Sequence, residues 1–280
     1  MPSWDYDTPG PVRLDLEIPA GRVEIDTMPG DKTHVSLEAL TPEAEDLIAD
    51  ARVELLGRGE THEVRVLVAN SRGSFISIGR GPEILLRVTC PRDATAYIKT
   101  KSADVIARGE FHEMDIKTAS GDVNVGEVAD DASVKTASGD VSLDTVEGRT
   151  RVQTASGDVA MQRAGGDVTV QLVSGDLWIR DAAASVHANT VSGDQRIEAV
   201  MEGVIEAHSV SGDVLIGVRR GSRVYVDANT ISGSTNSELD LSDAPAEQAD
   251  EEGPLVEVRA KTVSGDVSII RAAAPAHLKS

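Results

Sequence analysis

The chain is built on a tripeptide, Ser-Gly-Asp, that recurs at a nearly constant interval. From Ser102 to Ser192 the interval is 18 residues five times in succession, and it then lengthens to 19, 21 and 32 residues. Repetition at a fixed period indicates a stack of equivalent structural units. Degenerate copies stand at Ser102-Ala103-Asp104 and Ser232-Gly233-Ser234. The complete copies are Ser120, Gly121, Asp122, Ser138, Gly139, Asp140, Ser156, Gly157, Asp158, Ser174, Gly175, Asp176, Ser192, Gly193, Asp194, Ser211, Gly212, Asp213, Ser264, Gly265 and Asp266.

Each unit contains two stretches in which apolar and polar residues alternate, one on either side of the Ser-Gly-Asp corner. In the unit at 131–148, Val134 precedes the corner, and Val141 and Leu143 follow it. A period of two is typical of β-strands with one buried face. Two short strands and two turns account for a unit of this length. We therefore predict an all-β fold, a β-solenoid of about nine two-strand coils in which equivalent strands stack on one another.

The ends of the repeat region predict the organisation of the chain. Residues 1–90 are expected to form an irregular β cap that is continuous with the solenoid. Within the cap, residues 41–50 are expected to form one short helix, with Thr41 as its N-cap and Pro42 at its first position.

The solenoid repeats are expected to fill residues 91–272, with the unit at 257–272 closing the series. An insertion at 237–254 carries seven acidic residues and no Lys or Arg. Such a composition favours a solvated loop between the last two coils. Residues 273–280 form a tail.

The corner residues have a structural and a functional interpretation. Gly supplies a backbone conformation with positive φ, and the Ser and Asp side chains accept hydrogen bonds from nearby backbone N–H groups. In the functional alternative, the Asp residues of stacked coils form a file that binds Ca²⁺. We favour structural turns, and no cofactor, because one Gly-Asp per coil supplies fewer oxygen ligands than Ca²⁺ requires.

Composition excludes several classes of function. Asp and Glu number 47 against 27 Lys and Arg, which gives a formal net charge of −20. A chain so acidic is repelled by nucleic acids and by anionic lipid surfaces. The 2 Trp, 3 Tyr and 2 Phe are too few for base-stacking or sugar-stacking surfaces. The one cysteine, Cys90, lies in an apolar run and is expected to be a buried core residue.

The sequence carries no recognisable targeting signal or catalytic motif. The first residues lack a basic segment followed by an apolar one, and no run of about 18 apolar residues occurs. We therefore expect a cytoplasmic protein that reaches a membrane only through partners. None of the six His has a metal-binding spacing, and phosphate-binding, dinucleotide-binding and nucleophile-elbow motifs are absent.

One apolar segment stands out in the predicted cap. Phe75, Ile76 and Ile78 lie between two Arg residues at 71–82. If this segment protrudes, it is an interaction tip suited to a protein partner or a membrane surface. An ordinary hairpin strand is the simpler interpretation.

The repeated Thr-Ala/Val-Ser-Gly-Asp-Val units, preceded by the strands at 9–25, resemble the bacterial putative-adhesin or toastrack family of β-strand repeats. The resemblance covers residues 12–272. It implies a β-solenoid, frequent attachment to envelope-stress modules, and no catalytic residues to carry over. Many relatives have a membrane anchor, and we expect this protein to lack one.

Three functional hypotheses follow. The leading one is a non-enzymatic scaffold that presents its faces or ends to protein partners in the bacterial envelope-stress response. The second is a structural, adhesin-like protein that self-assembles by stacking end to end, since solenoid ends are unpaired strand edges. The third is a carbohydrate-active β-helix enzyme, because acidic residues lie on every face. A small-molecule ligand is not predicted by the sequence.

Overall fold

The computed structural model of the protein describes residues 2–58, 61–68, 82–239 and 253–272. Strands account for nearly all regular structure in these ranges, and the repeats form the β-solenoid that their period predicts. The chain divides into two compact units, Met1–Val146 and Glu147–Ser280.

The first unit contains ten strands and one helix in the described ranges. They are β1 (Ser3–Asp7), β2 (Val12–Met28), β3 (Lys32–Ala39), α1 (Ala44–Ala49), β4 (Arg52–Arg58), β5 (Thr61–Leu67), β6 (Ile84–Pro91), β7 (Ala94–Lys117), β8 (Val123–Val128), β9 (Ala132–Lys135) and β10 (Val141–Val146).

Strand β2 forms a complete coil before the first recognisable repeat. It pairs in parallel with β7 along most of its length, so that Leu16 lies beside Ile98 and Gly21 beside Ala103. On its other side it pairs in parallel with β5 and β6. Strands β4 and β3 continue antiparallel to β5 and β6, and β1 pairs antiparallel with β3. Antiparallel strands therefore cap this end of the first unit.

The helix in the cap is shorter than the sequence predicts. It begins at Ala44, and Glu43 before it makes no capping hydrogen bond through its side chain. The prediction of Thr41 as N-cap is wrong, because its hydroxyl accepts a hydrogen bond from the Glu83 N–H at 3.1 Å. Thr41 thus fastens the start of the helical segment to the chain entering β6.

The prediction that Cys90 is a buried core residue is confirmed. It lies near the end of β6, beside Thr27 of β2 in the register of the sheet. Burial, with a smaller contribution from the charge of Asp26, raises the pKa of its thiol to about 12. The thiol therefore stays protonated and unreactive in the folded protein.

The second unit contains twelve strands in the described ranges. They are β11 (Thr150–Ser156), β12 (Val159–Ala164), β13 (Val168–Ser174), β14 (Leu177–Ala182), β15 (Val186–Ser192), β16 (Gln195–Val200), β17 (Gly203–Ser211), β18 (Val214–Val218), β19 (Arg223–Ser232), β20 (Thr235–Ser237), β21 (Leu255–Ser264) and β22 (Val267–Arg271).

Successive coils of this unit stack in parallel and in register. Strands β11, β13, β15 and β17 form one face, and β12, β14, β16 and β18 form another. Inward residues such as Val170, Ala188 and Ala207 are buried and lie in one column. Outward residues alternate with them, as the period of two predicts.

The last two coils are stacked in the reverse of their sequence order. Strand β17 pairs with β21, and β21 pairs with β19. Strand β18 likewise pairs with β22, and β22 with β20. The expectation that the unit at 257–272 closes the series is therefore wrong in space. It lies between the coil at 203–218 and the coil at 223–237.

The composition of the outer coil explains this order. Thr235 and Ser237 occupy positions that are Val267 and Ile269 in the neighbouring coil. The terminal coil of a solenoid has no neighbouring coil on one side, so its residues on that side must tolerate water. An internal coil packs between two coils and needs apolar residues. The buried residue Leu239 lies two residues after the end of β20. The coil at 223–237 is thus suited to the end of the stack.

One internal position departs from the apolar pattern. Gln195 is buried in a column where its neighbours in register are Leu177 and Val214. Its side-chain nitrogen donates hydrogen bonds to the Thr190 hydroxyl at 3.0 Å and to the His208 carbonyl oxygen at 2.8 Å. Its side-chain oxygen is buried without a hydrogen-bond partner. A buried acceptor without a donor destabilises the folded state.

Replacing Gln195 by Leu should therefore stabilise the protein. We expect the free energy of unfolding to rise by about 1 kcal/mol, because the added apolar burial and the removal of the unpaired acceptor outweigh the two hydrogen bonds that Thr190 and His208 lose. Urea unfolding followed by circular dichroism measures the change. The reverse substitution, Leu177→Gln, is the control and should cost about 3 kcal/mol. A less stable Gln195→Leu protein would contradict the prediction.

Candidate functional site

The Ser-Gly-Asp corners superimpose from coil to coil. In the second unit Ser156, Ser174, Ser192, Ser211 and Ser264 lie next to one another in register, followed by Ser232. The corner glycines have positive φ throughout, for example +139° at Gly193. Thr118 and Thr136, two positions before the corner Ser, are buried, and the hydroxyl of each donates to the Ser carbonyl oxygen of its own corner at 2.7 Å.

The corner aspartates link neighbouring coils. In the second unit the Asp176 N–H donates to Asp158 Oδ1, and Asp194 and Asp213 continue the series, each bond being 2.8 Å long. The Asp266 N–H donates to Asp213 Oδ1 at 2.8 Å. We call this series the aspartate ladder, and its members are Asp158, Asp176, Asp194, Asp213 and Asp266.

The aspartate ladder ends at the outermost coil. There the corner carries Ser234 in place of Asp, and both its N–H and its hydroxyl donate to Asp266 Oδ1, at 2.7 and 2.9 Å. These two hydrogen bonds lower the pKa of the Asp266 carboxyl below its ordinary value. The stabilisation from this carboxylate is present above that ordinary value and is lost as the pH falls through the lowered one.

The first unit has the same arrangement over three coils. The Asp122 N–H donates to Asp104 Oδ1 at 3.2 Å, and the Asp140 N–H donates to Asp122 Oδ1 at 3.0 Å. The corner carboxylates thus accept hydrogen bonds from the N–H groups of the next coil. Among the residues that the structure describes, no group of three or more His, Cys, Asp or Glu side chains is arranged to hold a metal ion.

The aspartate ladder predicts different results for two substitutions of Asp194. Ala removes the acceptor of the Asp213 N–H, and we expect a loss of about 1 kcal/mol in the free energy of unfolding. Asn keeps an Oδ1 acceptor and relieves repulsion between carboxylates about 5 Å apart, so the Asn variant should match the wild type. Thermal unfolding compares the two. Equal losses for Ala and Asn would show that charge, and not hydrogen bonding, is the contribution of Asp194.

A second feature of the corners was not anticipated from the sequence. The residue directly before the corner Ser points outward, and in most coils of the second unit it is a β-branched aliphatic residue. These residues are between 44% and 81% exposed. We call them the aliphatic stripe, and its members are Val173, Val191, Val210, Val263 and Ile231 in spatial order. Earlier coils have Ala119, Ala137 and Ala155 at this position.

Polar groups accompany the aliphatic stripe. An aspartate of the ladder follows three residues after each of the four Val members, and Ser234 follows Ile231. On the other side of the stripe, two residues before each stripe member, lie Gln171, Asn189, His208, Lys261 and Asn229. The stripe is therefore an apolar line on an otherwise polar surface, with carboxylates on one side and mostly uncharged groups on the other.

A charged cluster lies further along the same face. His187 Nδ1 is 3.0 Å from Glu206 Oε2, and the Arg259 guanidinium donates to Glu206 Oε1 at 2.9 Å. The hydrogen bond with His187, followed by the one with Arg259, lowers the pKa of Glu206. Arg259 also contacts Glu257, so the cluster is an ion-pair network on the surface.

Other candidates from the sequence lie partly outside the residues that the structure describes. The interaction tip with Phe75, Ile76 and Ile78 lies outside the described residues, as do most of the insertion at 237–254 and the tail at 273–280.

A cleft of about 420 Å³ lies in the first unit. Arg22 lines this cleft, with its guanidinium 3.9 Å from both Glu24 and Asp104. No helix within the described ranges combines the length and the apolar character needed to cross a membrane.

Comparison with known proteins gives a family and several distant structures. A family model described as Toastrack DUF4097 matches residues 13–270. A structure of a putative adhesin from Bacteroides fragilis is 14% identical over 95% of both chains, with a TM-score of 0.49. A putative lipid binding protein from Parabacteroides distasonis is 12% identical over 97% of this chain and 96% of the other, with a TM-score of 0.42. No curated protein matches the sequence.

Proposed function

The chain belongs to the Toastrack DUF4097 family, and we propose that it acts as a non-enzymatic β-solenoid scaffold that binds protein partners. One observation carries the proposal. The repeated polar motif forms hydrogen bonds between coils, whereas the outward residue beside it is aliphatic and exposed over five coils. Exposed apolar surface of this kind is typical of interaction sites.

The proposal is tested by cross-linking and affinity purification of the tagged full chain from its native cell. We expect one partner to be recovered reproducibly at a near-stoichiometric ratio, with cross-links to the solenoid faces. A glycan-degradation screen run in parallel addresses the carbohydrate-active alternative. The absence of any partner, together with turnover in that screen, would overturn the proposal.

We further propose that the scaffold serves the bacterial envelope-stress response from the cytoplasm and reaches the membrane only through its partner. The support is the association of this family with envelope-stress modules. Cell fractionation with and without the partner gene tests this extension. The protein should move from the membrane fraction to the soluble fraction when the partner is absent. Membrane association that persists without the partner would refute it.

Self-assembly is the second candidate, and the outer coil of the second unit favours it. Among the described strands, β19 pairs only with β21 and β20 only with β22, so their other edges have no partner strand within the described ranges. Open strand edges pair readily with other chains. Against this candidate, Ser234 supplies no carboxylate that could accept an N–H from a further coil. Analytical ultracentrifugation decides, and a monomer at all concentrations would exclude this candidate.

A further inference from the structure

We propose that the aliphatic stripe of the second unit is a docking surface for a basic amphipathic helix of a partner protein. This inference rests on the proposed scaffold function and specifies its surface and the chemistry of its partner. It is carried by the exposure of the stripe, by its charged surroundings and by its dimensions.

Exposure is the first observation. Val173, Val191, Val210 and Val263 are about half exposed, and Ile231 is 81% exposed. The coil does not need a large apolar residue there, because equivalent coils carry Ala119 and Ala137. Together the stripe residues expose roughly 400 Å² of apolar surface, which is the size of the largest apolar patch on a typical monomer, and such patches are often functional.

The negative charge next to the stripe determines which kind of partner fits it. The aspartate ladder follows the stripe around each corner, and in each of its carboxylates one oxygen accepts an N–H from the next coil. A file of carboxylates attracts Lys and Arg side chains and repels anionic lipid headgroups. It also opposes a second copy of this chain, whose net charge is −20.

The dimensions favour a single helix. With coils about 4.8 Å apart, the five stripe residues span about 19 Å. An α-helix advances about 5.4 Å per turn, so about 13 residues of helix would place one apolar side chain near each coil. The stripe is one residue wide, and its area is about half of the roughly 800 Å² that each partner of a stable dimer buries. A helix therefore matches the stripe better than a second solenoid does.

The probe for this inference is a peptide of about 14 residues with Leu at helical i, i+3, i+4 and i+7 spacing and Lys elsewhere. A scrambled peptide of identical composition controls for charge alone. Fluorescence anisotropy with the full-length protein measures both affinities. The ordered peptide should bind at least about tenfold more tightly than the scrambled one, since only the ordered peptide presents an apolar face.

Three variants locate the binding surface. The triple change Val191→Thr, Val210→Thr and Val263→Thr keeps the β-branched shape but removes apolar surface, and it should weaken ordered-peptide binding about tenfold. The matched triple change to Ile should bind as the wild type does. Asp194→Asn with Asp213→Asn keeps the hydrogen-bond acceptors and should weaken binding of both peptides. All three variants should keep the wild-type melting temperature, because the altered side chains are exposed.

The outcomes separate the inference from the proposed function. Equal affinity of the Thr variant and the wild type for the ordered peptide would overturn the stripe as a docking surface, even if a partner is recovered from cells. Binding to vesicles of anionic lipid, or a dimer that the Thr substitutions abolish, would likewise overturn it in favour of another occupant. Failure to recover any partner would count against the scaffold function, while peptide binding tests the surface directly.

Discussion

Replacing Val258 by Asp should unfold the second unit, whereas the same change at Val226 should be tolerated. The two residues are direct neighbours in one inward column of the solenoid. Val258 is fully buried between two coils, and Val226, in the outermost coil, is 37% exposed. A carboxylate at 258 has no cation to pair with and no water, so we expect a loss of more than about 4 kcal/mol. At 226 the carboxylate reaches solvent, and the loss should be about 1 kcal/mol.

Urea unfolding followed by circular dichroism measures both losses. Val258→Ala and Val226→Ala serve as controls, because they remove buried apolar surface without introducing charge. Val258→Ala should again cause the larger loss in the free energy of unfolding. The comparison tests the order of the coils directly. If the coils were stacked in sequence order, the unit at 255–271 would be terminal, and Val226→Asp would be the more damaging change.

The solenoid could be predicted from sequence because the units recur at a regular period and each unit shows alternating apolar and polar residues. An interval of 18 residues fixes which residues become neighbours, as Ser174 and Ser192 show. The order of the last two coils could not be predicted in this way. Backbone pairing is the same for any two adjacent coils, so the order depends on which coil tolerates an exposed face. The polar residues Thr235 and Ser237 indicate which coil tolerates exposure, but only comparison with the neighbouring coil reveals this.

The corner chemistry was only partly predictable. Turn preferences indicate that Asp accepts a backbone N–H, but they describe bonds within one turn. In the structure Asp194 Oδ1 accepts a hydrogen bond from the N–H of Asp213 in the next coil. Rules based on local sequence do not consider contacts between coils. The aliphatic stripe was missed for a related reason. A period of two assigns Val191 to the solvent side, and only the change from Ala137 to Val across equivalent units signals that the position is unusual.

Gly193→Ala should be among the most destabilising single-methyl substitutions in this chain. Gly193 has a φ of +139°, which residues with a Cβ rarely adopt. A Cβ at this position would also overlap the backbone carbonyl of Gly175 in the adjacent coil. Backbone atoms in a hydrogen-bonded stack cannot move aside without separating the coils. Strain and steric overlap together should lower the free energy of unfolding by about 3 to 5 kcal/mol.

Gly221 offers a matched control in the same unit. Its φ is +89°, but a Cβ there would meet no atom within 4 Å. Gly221→Ala should therefore show the conformational cost alone, about 1 kcal/mol. The difference between the two variants in urea unfolding isolates the contact between stacked corners. Equal losses would mean that the corner glycines are required only for their backbone conformation, and that the coils at Gly175 and Gly193 are not packed as closely as the structure places them.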